Sequence, residues 1–220
     1  IINSMKRIAV LTSGGDAPGM NAAVRAVVRA SAFYNLECFI VYEGYQGLIE
    51  NSIDKANARR VNNIINKGGT ILKSARSSDF RTSSGRKKAY NNLTKNKIES
   101  LVVIGGDGSF NGARIFQKEF NFSVLGIPGT IDNDISGTQY TIGYDTAINT
   151  VIQVIDKIRD TAISHNRLFF IEVMGRDAGH IALHSGIGAG AEEILIPEED
   201  RGLKKLLNSL KKSEKTGKAS

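Results

Sequence analysis

Gly105-Gly106-Asp107-Gly108-Ser109 follows the apolar run Leu101-Val102-Val103-Ile104 and precedes a segment with helical character. Glycines at a strand end let backbone N–H groups approach phosphate oxygens closely, and the helix start adds positive partial charge. One carboxylate there, Asp107, can reach Mg²⁺ directly or through water. The combination suits a nucleotide polyphosphate. Its alternative is an ordinary strand-to-helix turn in which Asp107 is the N-cap.

A second group, Pro128-Gly129-Thr130-Ile131-Asp132-Asn133-Asp134, leaves the strand-like Ser123-Val124-Leu125-Gly126-Ile127. Ligands of open α/β sheets collect outside the carboxyl ends of the strands, so both groups are expected to face one crevice. One carboxylate near Mg²⁺ and another able to take a proton from a hydroxyl are the requirements of phosphoryl transfer to an alcohol. By itself, Asp132-Asn133-Asp134 reads equally as a turn whose side chains cap their own backbone. A third group, Met174-Gly175-Arg176, ends the apolar Phe169-Phe170-Ile171-Glu172-Val173. An arginine fork at a strand mouth binds a phosphate or the charge developing on a transferred group, unless it is spent on a surface ion pair with Asp177 or Glu172.

The elements that must position these groups alternate between strand and helix patterns, which predicts an α/β fold with doubly wound parallel sheets. Strands are expected at Arg7 to Leu11 and over 37–42, 101–105, 123–127, 168–173 and 193–196. Helices are expected from Pro18 to Phe33, near 59–67, 109–119, 178–187 and 202–213, and from Gly143 to His165. The apolar face of that last segment, with Ile148, Val151, Ile152, Ile155, Ile158 and Ala162, is expected to pack on a sheet. The Ser- and Arg-rich stretch from Lys73 to Lys88 reads as a polar loop that is mobile until nucleotide arrives.

Composition narrows the class. The net charge of +7 invites a polyanion partner. Many arginines, however, stand beside glycine motifs or at helix positions suited to small phosphorylated ligands, so no nucleic-acid partner is expected. No apolar run reaches the length of a membrane span, and Ile1-Ile2-Asn3-Ser4 before Met5 lacks the pattern of a secretory signal. The single cysteine, Cys38, reads as a small buried hydrophobe of a reducing, cytoplasmic setting. His180 and His184 have metal-like spacing but no companion ligand, and read as ordinary helix residues.

Taken together, Leu11-Thr12-Ser13-Gly14-Gly15-Asp16-Ala17-Pro18-Gly19-Met20-Asn21, the GGDGS segment, PGTIDND and Met174-Gly175-Arg176 resemble the bacterial ATP-dependent 6-phosphofructokinases, from about Met5 to the end of the chain. The resemblance implies two α/β/α lobes, the first (1–142) binding ATP and the second (143–220) binding fructose 6-phosphate. It implies transfer of the γ-phosphoryl of ATP, with Mg²⁺, to the sugar 1-hydroxyl. Asp132 resembles the general base, Arg176 the transition-state arginine and Thr130 a substrate contact. Gly15, Tyr45, Arg76, Ser77, Gly106, Asp107, Gly108 and Ser109 fall on the ATP side, with Asp107 beside the metal; Arg81 is a weaker candidate there. Ile131, Met174, Gly175 and Arg167 fall on the sugar side, Arg167 being donated by a neighbouring subunit. Family members are homotetramers with an effector site for ADP or phosphoenolpyruvate, on which Arg25, Arg29, Arg159, Gly190, Glu192 and Lys218 fall. Ala58, Thr216 and Ala219 depart from its basic pattern.

Pyrophosphate-using relatives resemble GGDDS and PKT where this chain has Gly108 and Gly129, so ATP is the expected donor. Lipid and NAD kinases also use GGDG but lack the PGTIDND and Met174-Gly175-Arg176 groups. The family continues past the point where this chain stops, in a segment that returns to complete the first lobe and supplies further sugar contacts. The chain therefore reads as a piece of a longer protein with both lobes incomplete and unstable alone, the alternative being a truncated nucleotide-binding or regulatory module without catalysis.

Overall fold

The structure, a computed structural model, describes residues 5–165, 168–199, 202, 205–208 and 211. The chain divides into two compact units, one formed by Ile1–Thr130 with Ile135–Gly143 and the other by Ile131–Asp134 with Tyr144–Ser220.

The first unit is built on a six-stranded sheet. Its elements in chain order are β1 (Arg7–Ser13), α1 (Met20–Phe33), β2 (Glu37–Val41), α2 (Gly44–Glu50), β3 (Ile53–Ala56), a 3₁₀ turn at Asp79–Arg81, α3 (Ser83–Lys95), β4 (Ser100–Gly105), α4 (Asp107–Phe120), β5 (Ser123–Thr130) and β6 (Ile142–Gly143). The strand order is β3-β2-β1-β4-β5-β6, parallel except for the antiparallel edge pair β2–β3. The central strands are apolar on both faces because helices cover both. Ala9, Leu11, Leu101 and Val103 turn toward a core shared with Leu48, Phe80, Leu93 and Phe116 of the segments that follow β2 and β4. On the other face α1 packs across β1, β2 and β4, burying Met20, Val24 and Val28. Chain reversal occurs at β1 and at its parallel neighbour β4, so the glycine turns after both strands emerge at the same carboxyl edge.

Several expected elements differ. The span 59–67 is a run of turns: Val61 and Ile64 are buried at helical spacing, but Asn63 takes φ +55° and the backbone bonds are three-residue ones such as Arg60 N–H to Asn57 O. The Lys73–Lys88 stretch is not an open loop. Phe80 and Arg86 are buried within it, and α3 starts at Ser83 on a Thr82 cap whose hydroxyl accepts from Gly85 N–H. β3 is antiparallel, so the sheet is mixed.

In the second unit α5 (Tyr144–His165) packs on α6 (His180–Ala189), not on a sheet. Ile152 lies against Gly188, where a Cβ would come within 2.8 Å of its Cδ1. Tyr144 is buried and its hydroxyl lies 2.5 Å from His184 Nδ1, so the His180/His184 pair is helix packing. The expected strand over 168–173 is irregular chain without a ladder among the described residues. A strand exists only where a second one supplies its hydrogen bonds, and among the described residues none runs beside Leu168, Phe169, Phe170 and Ile171, which are exposed. The expected strand over 193–196 is reduced to a single bridge between Ile196 and Glu199. The expected helix over 202–213 lies largely outside the described residues. No described helix is long and apolar enough to cross a membrane.

Candidate active site

In the first unit the sequence-predicted nucleotide residues converge at the carboxyl edge of β1, β4 and β5. Gly14 turns the chain at φ +87°, and a Cβ there would meet Ser109 Oγ at 3.2 Å. Close approach also requires glycine at 105: a Cβ would lie 2.6 Å from Ser13 O and 2.7 Å from Ser109 Oγ. Gly106, the N-cap of α4, faces Thr130, whose Cβ and Oγ1 lie 3.4 and 3.6 Å from its Cβ direction. Thr141 Oγ1–H donates to Thr130 O over 2.7 Å, fixing the end of β5. Gly15 and Gly108 have nothing within 4 Å of a Cβ and front open space. By contrast, a Cβ on Gly129 would press on Ile104 Cγ2 at 3.0 Å and Met20 Cε at 3.3 Å, so Gly129 packs against the core while Gly108 fronts open space.

Asp107 is exposed in the first turn of α4, with Asn111 Nδ2–H donating to its Oδ2 over 2.9 Å. A single carboxylate beside a helix N-terminus fits Mg²⁺ that arrives on nucleotide phosphates, since that ion keeps waters and phosphate oxygens in most of its coordination sites. Tyr45 is not an open face for a base. Its ring is buried, stacked on Phe80 at 3.9 Å and 10°, and its hydroxyl donates to Ser109 O over 2.6 Å, burial pushing that hydroxyl well above the usual tyrosine range. Arg76 and Arg81 are exposed, and Ser77 bridges Gln46 Oε1, at 2.7 Å, and Phe80 N–H, at 3.1 Å.

One positioning device was not legible in advance. Asn21, buried at the start of α1, donates through Nδ2 to Lys67 O and Gly69 O, both at 3.1 Å, and accepts from Ile71 N–H at 2.8 Å. Thr12 Oγ1–H donates to Lys73 O over 2.7 Å, and Asp16 accepts from Thr70 N–H at 3.0 Å. The segment that leads into Arg76 is thus tied to the β1–α1 turn. A buried Asn in an apolar helix was the available signal, because such a group must find partners.

In the second unit Asp132 is half-buried. Burial pushes its carboxyl above the ordinary aspartate range, the neighbouring charge of Asp134 adds to this, Arg176 opposes it and Asp177 adds further. Ile131 is likewise half-buried. Arg176 takes φ +56°, a left-handed conformation uncommon for a non-glycine, and pairs with Asp177 over 3.0 Å, so the surface pair and the proximity to Asp132 coexist. Gly175 at φ +146° has no room for a Cβ, which would lie 2.4 Å from Ala178 O, while Met174 is exposed. Arg159 donates to Ala189 O and, over 3.1 Å, to Gly190 O at the end of α6, bringing two of the effector candidates together; Glu192 is exposed nearby in sequence. Arg25 is half-buried and Arg29 exposed on α1. Arg167 and Lys218 lie outside the described residues. Among the described residues no three His, Cys, Asp or Glu side chains cluster as a metal cage. Cys38 is buried in β2, where burial raises its thiol.

The first unit is an α/β sheet of the doubly wound class carrying a glycine cradle at its carboxyl edge. The phosphofructokinase family model matches residues 7–220, and the chain belongs to that family. It is 55% identical over 214 residues to the ATP-dependent 6-phosphofructokinase of Oceanobacillus iheyensis and 57% identical over 214 residues to that of Bacillus pumilus, in each case covering 97% of this chain and 67% of the relative. The chain spans about two thirds of the length of these curated relatives. A solved phosphofructokinase from Saccharomyces cerevisiae matches with a TM-score of 0.91 at 41% identity, over 96% of this chain and 32% of that one. A pyrophosphate-dependent phosphofructokinase from Marinobacter aquaeolei shares the fold, with a TM-score of 0.81 at 20% identity, over 94% of this chain and 57% of that one.

Proposed function

We propose that the protein to which this chain belongs is an ATP-dependent 6-phosphofructokinase, transferring the γ-phosphoryl of ATP to the 1-hydroxyl of fructose 6-phosphate to give fructose 1,6-bisphosphate and ADP. The observation that carries this reading is the 55% identity, over nearly the whole chain, to a relative of that name. The geometry supports it at two places: the open space in front of Gly108, which leaves room for an adenosyl-linked phosphate, and the half-buried Asp132 with a raised carboxyl.

In this reading Asp132 takes the proton of the sugar 1-hydroxyl as that oxygen attacks, and the guanidinium of Arg176 pairs with charge on the transferring group. Gly15, Gly106, Gly108 and Ser109 hold the nucleotide phosphates by backbone and hydroxyl contacts, with Arg76 as their cation and Ser77 shaping the turn that bears it. Tyr45 acts through Ser109. Mg²⁺, when bound with the nucleotide, neutralises phosphate charge, and Asp107 would hold it. Thr130, Ile131, Met174, Gly175 and Arg167 receive the sugar phosphate. A loose transition state needs positioning and cations more than covalent help, which is what this set provides. The same reading makes the protein a cytoplasmic homotetramer whose ADP or phosphoenolpyruvate effector is held by Arg25, Arg29, Arg159, Gly190, Glu192 and Lys218.

Formation of fructose 1,6-bisphosphate from the two substrates tests the reaction, and its pH dependence tests the base. Asp132 must be ionised to act, so kcat/KM falls as pH drops through its pKa, and the raised value places that limb above the ordinary aspartate range. Asp134→Asn removes a like charge and therefore shifts the acid limb to lower pH. A limb that stays in place would show that Asp132 does not set it.

A further inference from the structure

Arg86 sits on α3, has been assigned no role above, is 8% exposed, and uses four of its five N–H groups. Nε–H and Nη2–H donate to the two carboxylate oxygens of Glu119, both at 2.6 Å, and Nη1 donates to Phe80 O at 3.0 Å and Arg81 O at 2.7 Å. Glu119 stands at the far end of α4 from Gly106. The two carbonyls belong to the 3₁₀ turn that begins two residues after Ser77.

The turn is gripped from other sides as well. The Phe80 ring stacks on Tyr45, whose hydroxyl holds Ser109 O, while Gly85 must lack a side chain because a Cβ would lie 2.1 Å from Asp79 O. Thus one residue, Phe80, has its carbonyl fixed by Arg86 and its ring set against the group that positions the first turn of α4. Burying a guanidinium beside a carboxylate that keeps 30% of its side chain exposed is a poor way to add stability, since the cost of desolvating the cation offsets much of the attraction. What the fork does, and leucine or methionine would not, is hold two backbone carbonyls in a fixed direction relative to α4.

We propose that Arg86, braced by Glu119, is a positioning residue for the phosphoryl-donor nucleotide: it fixes the Phe80–Arg81 turn and through it the placement of Arg76 and Ser77 relative to Ser109. This deepens the kinase reading and rests on it. Arg86 touches no reacting atom, so its loss shows in donor binding and not in acceptor binding.

The test uses the complete protein and two variants, with equilibrium MgATP binding, KM for each substrate and thermal unfolding measured on all three. Arg86→Lys keeps the charge but cannot span carboxylate and both carbonyls, and the double variant Arg86→Met with Glu119→Leu replaces the ion pair by apolar volume. We expect both to weaken MgATP binding and raise the KM for ATP by at least about tenfold, with the KM for fructose 6-phosphate and kcat at saturating ATP within about threefold of wild type. We expect the double variant to fold with one cooperative transition, lowered to the extent that the Phe80 and Arg81 carbonyls lose their donor. A folded double variant with unchanged MgATP affinity overturns the proposal. So does failure of both variants to fold where the wild type is native, which would make the pair a stabilising one only. Wild-type protein that binds no MgATP sinks the kinase reading itself, and this inference with it, a result distinct from any difference between variants.

Discussion

Replacing Asp132 with serine lowers kcat by at least about a thousandfold while MgATP binds as before, because a lost general base acts on the transition state and not on the donor. The side chain is suited to the task by its surroundings. Burial and the charge of Asp134 raise its carboxyl, moving it toward the pH at which a base both stays ionised at neutrality and accepts a proton readily, while Arg176 keeps the shift in check. Serine is smaller and uncharged but keeps a short polar side chain at the position. The measurement is steady-state turnover alongside equilibrium nucleotide binding; an unchanged kcat removes Asp132 from the role, and lost MgATP binding would show that the residue serves the donor instead.

Gly108→Asp abolishes use of ATP. Gly108 is exposed in the first turn of α4, with nothing within 4 Å of a Cβ, so the variant folds. A carboxylate in a helix's first turn is even mildly favourable to the helix. The added charge, however, points into the space that a nucleotide phosphate needs, and juxtaposed like charges cost several kcal/mol, which at about 1.4 kcal/mol per decade lowers kcat/KM for ATP by at least about a hundredfold. Thermal unfolding at the wild-type temperature with ATP turnover lost is the expected pair of results. Retained ATP turnover would move the donor site away from Gly108.

The parts of the fold that were legible in the sequence are those where a single local pattern decides the structure. β1, β4 and β5 are apolar runs closed by glycine, and α1 and α4 follow with helical spacing, so the carboxyl edge and its residues could be placed before any coordinates. β3 could not: Ile53-Asp54-Lys55-Ala56 is half charged, as an edge strand is free to be, and only its pairing with β2 makes it a strand. The stretch before α3 looked like a mobile loop because its exposed residues are polar, whereas its order comes from Phe80 and Arg86, whose partners Tyr45 and Glu119 lie far along the chain. Conversely, Phe169-Phe170-Ile171 has the apolar content of a strand and is not one among the described residues, since β structure needs a neighbour that composition cannot supply. The expectation that Tyr45 lies on the nucleotide side came from the family resemblance alone. Its burial against Phe80 assigns it to holding Ser109.

Whether the complete protein phosphorylates fructose 6-phosphate from ATP or from pyrophosphate separates the ATP-dependent reading from its rivals. Fructose 6-phosphate is offered with Mg²⁺ and either ATP or pyrophosphate, and fructose 1,6-bisphosphate is followed by a coupled assay. Steady turnover with ATP and little or none with pyrophosphate is the expected result. Folded, full-length protein that makes no fructose 1,6-bisphosphate from ATP, or that prefers pyrophosphate, would contradict it.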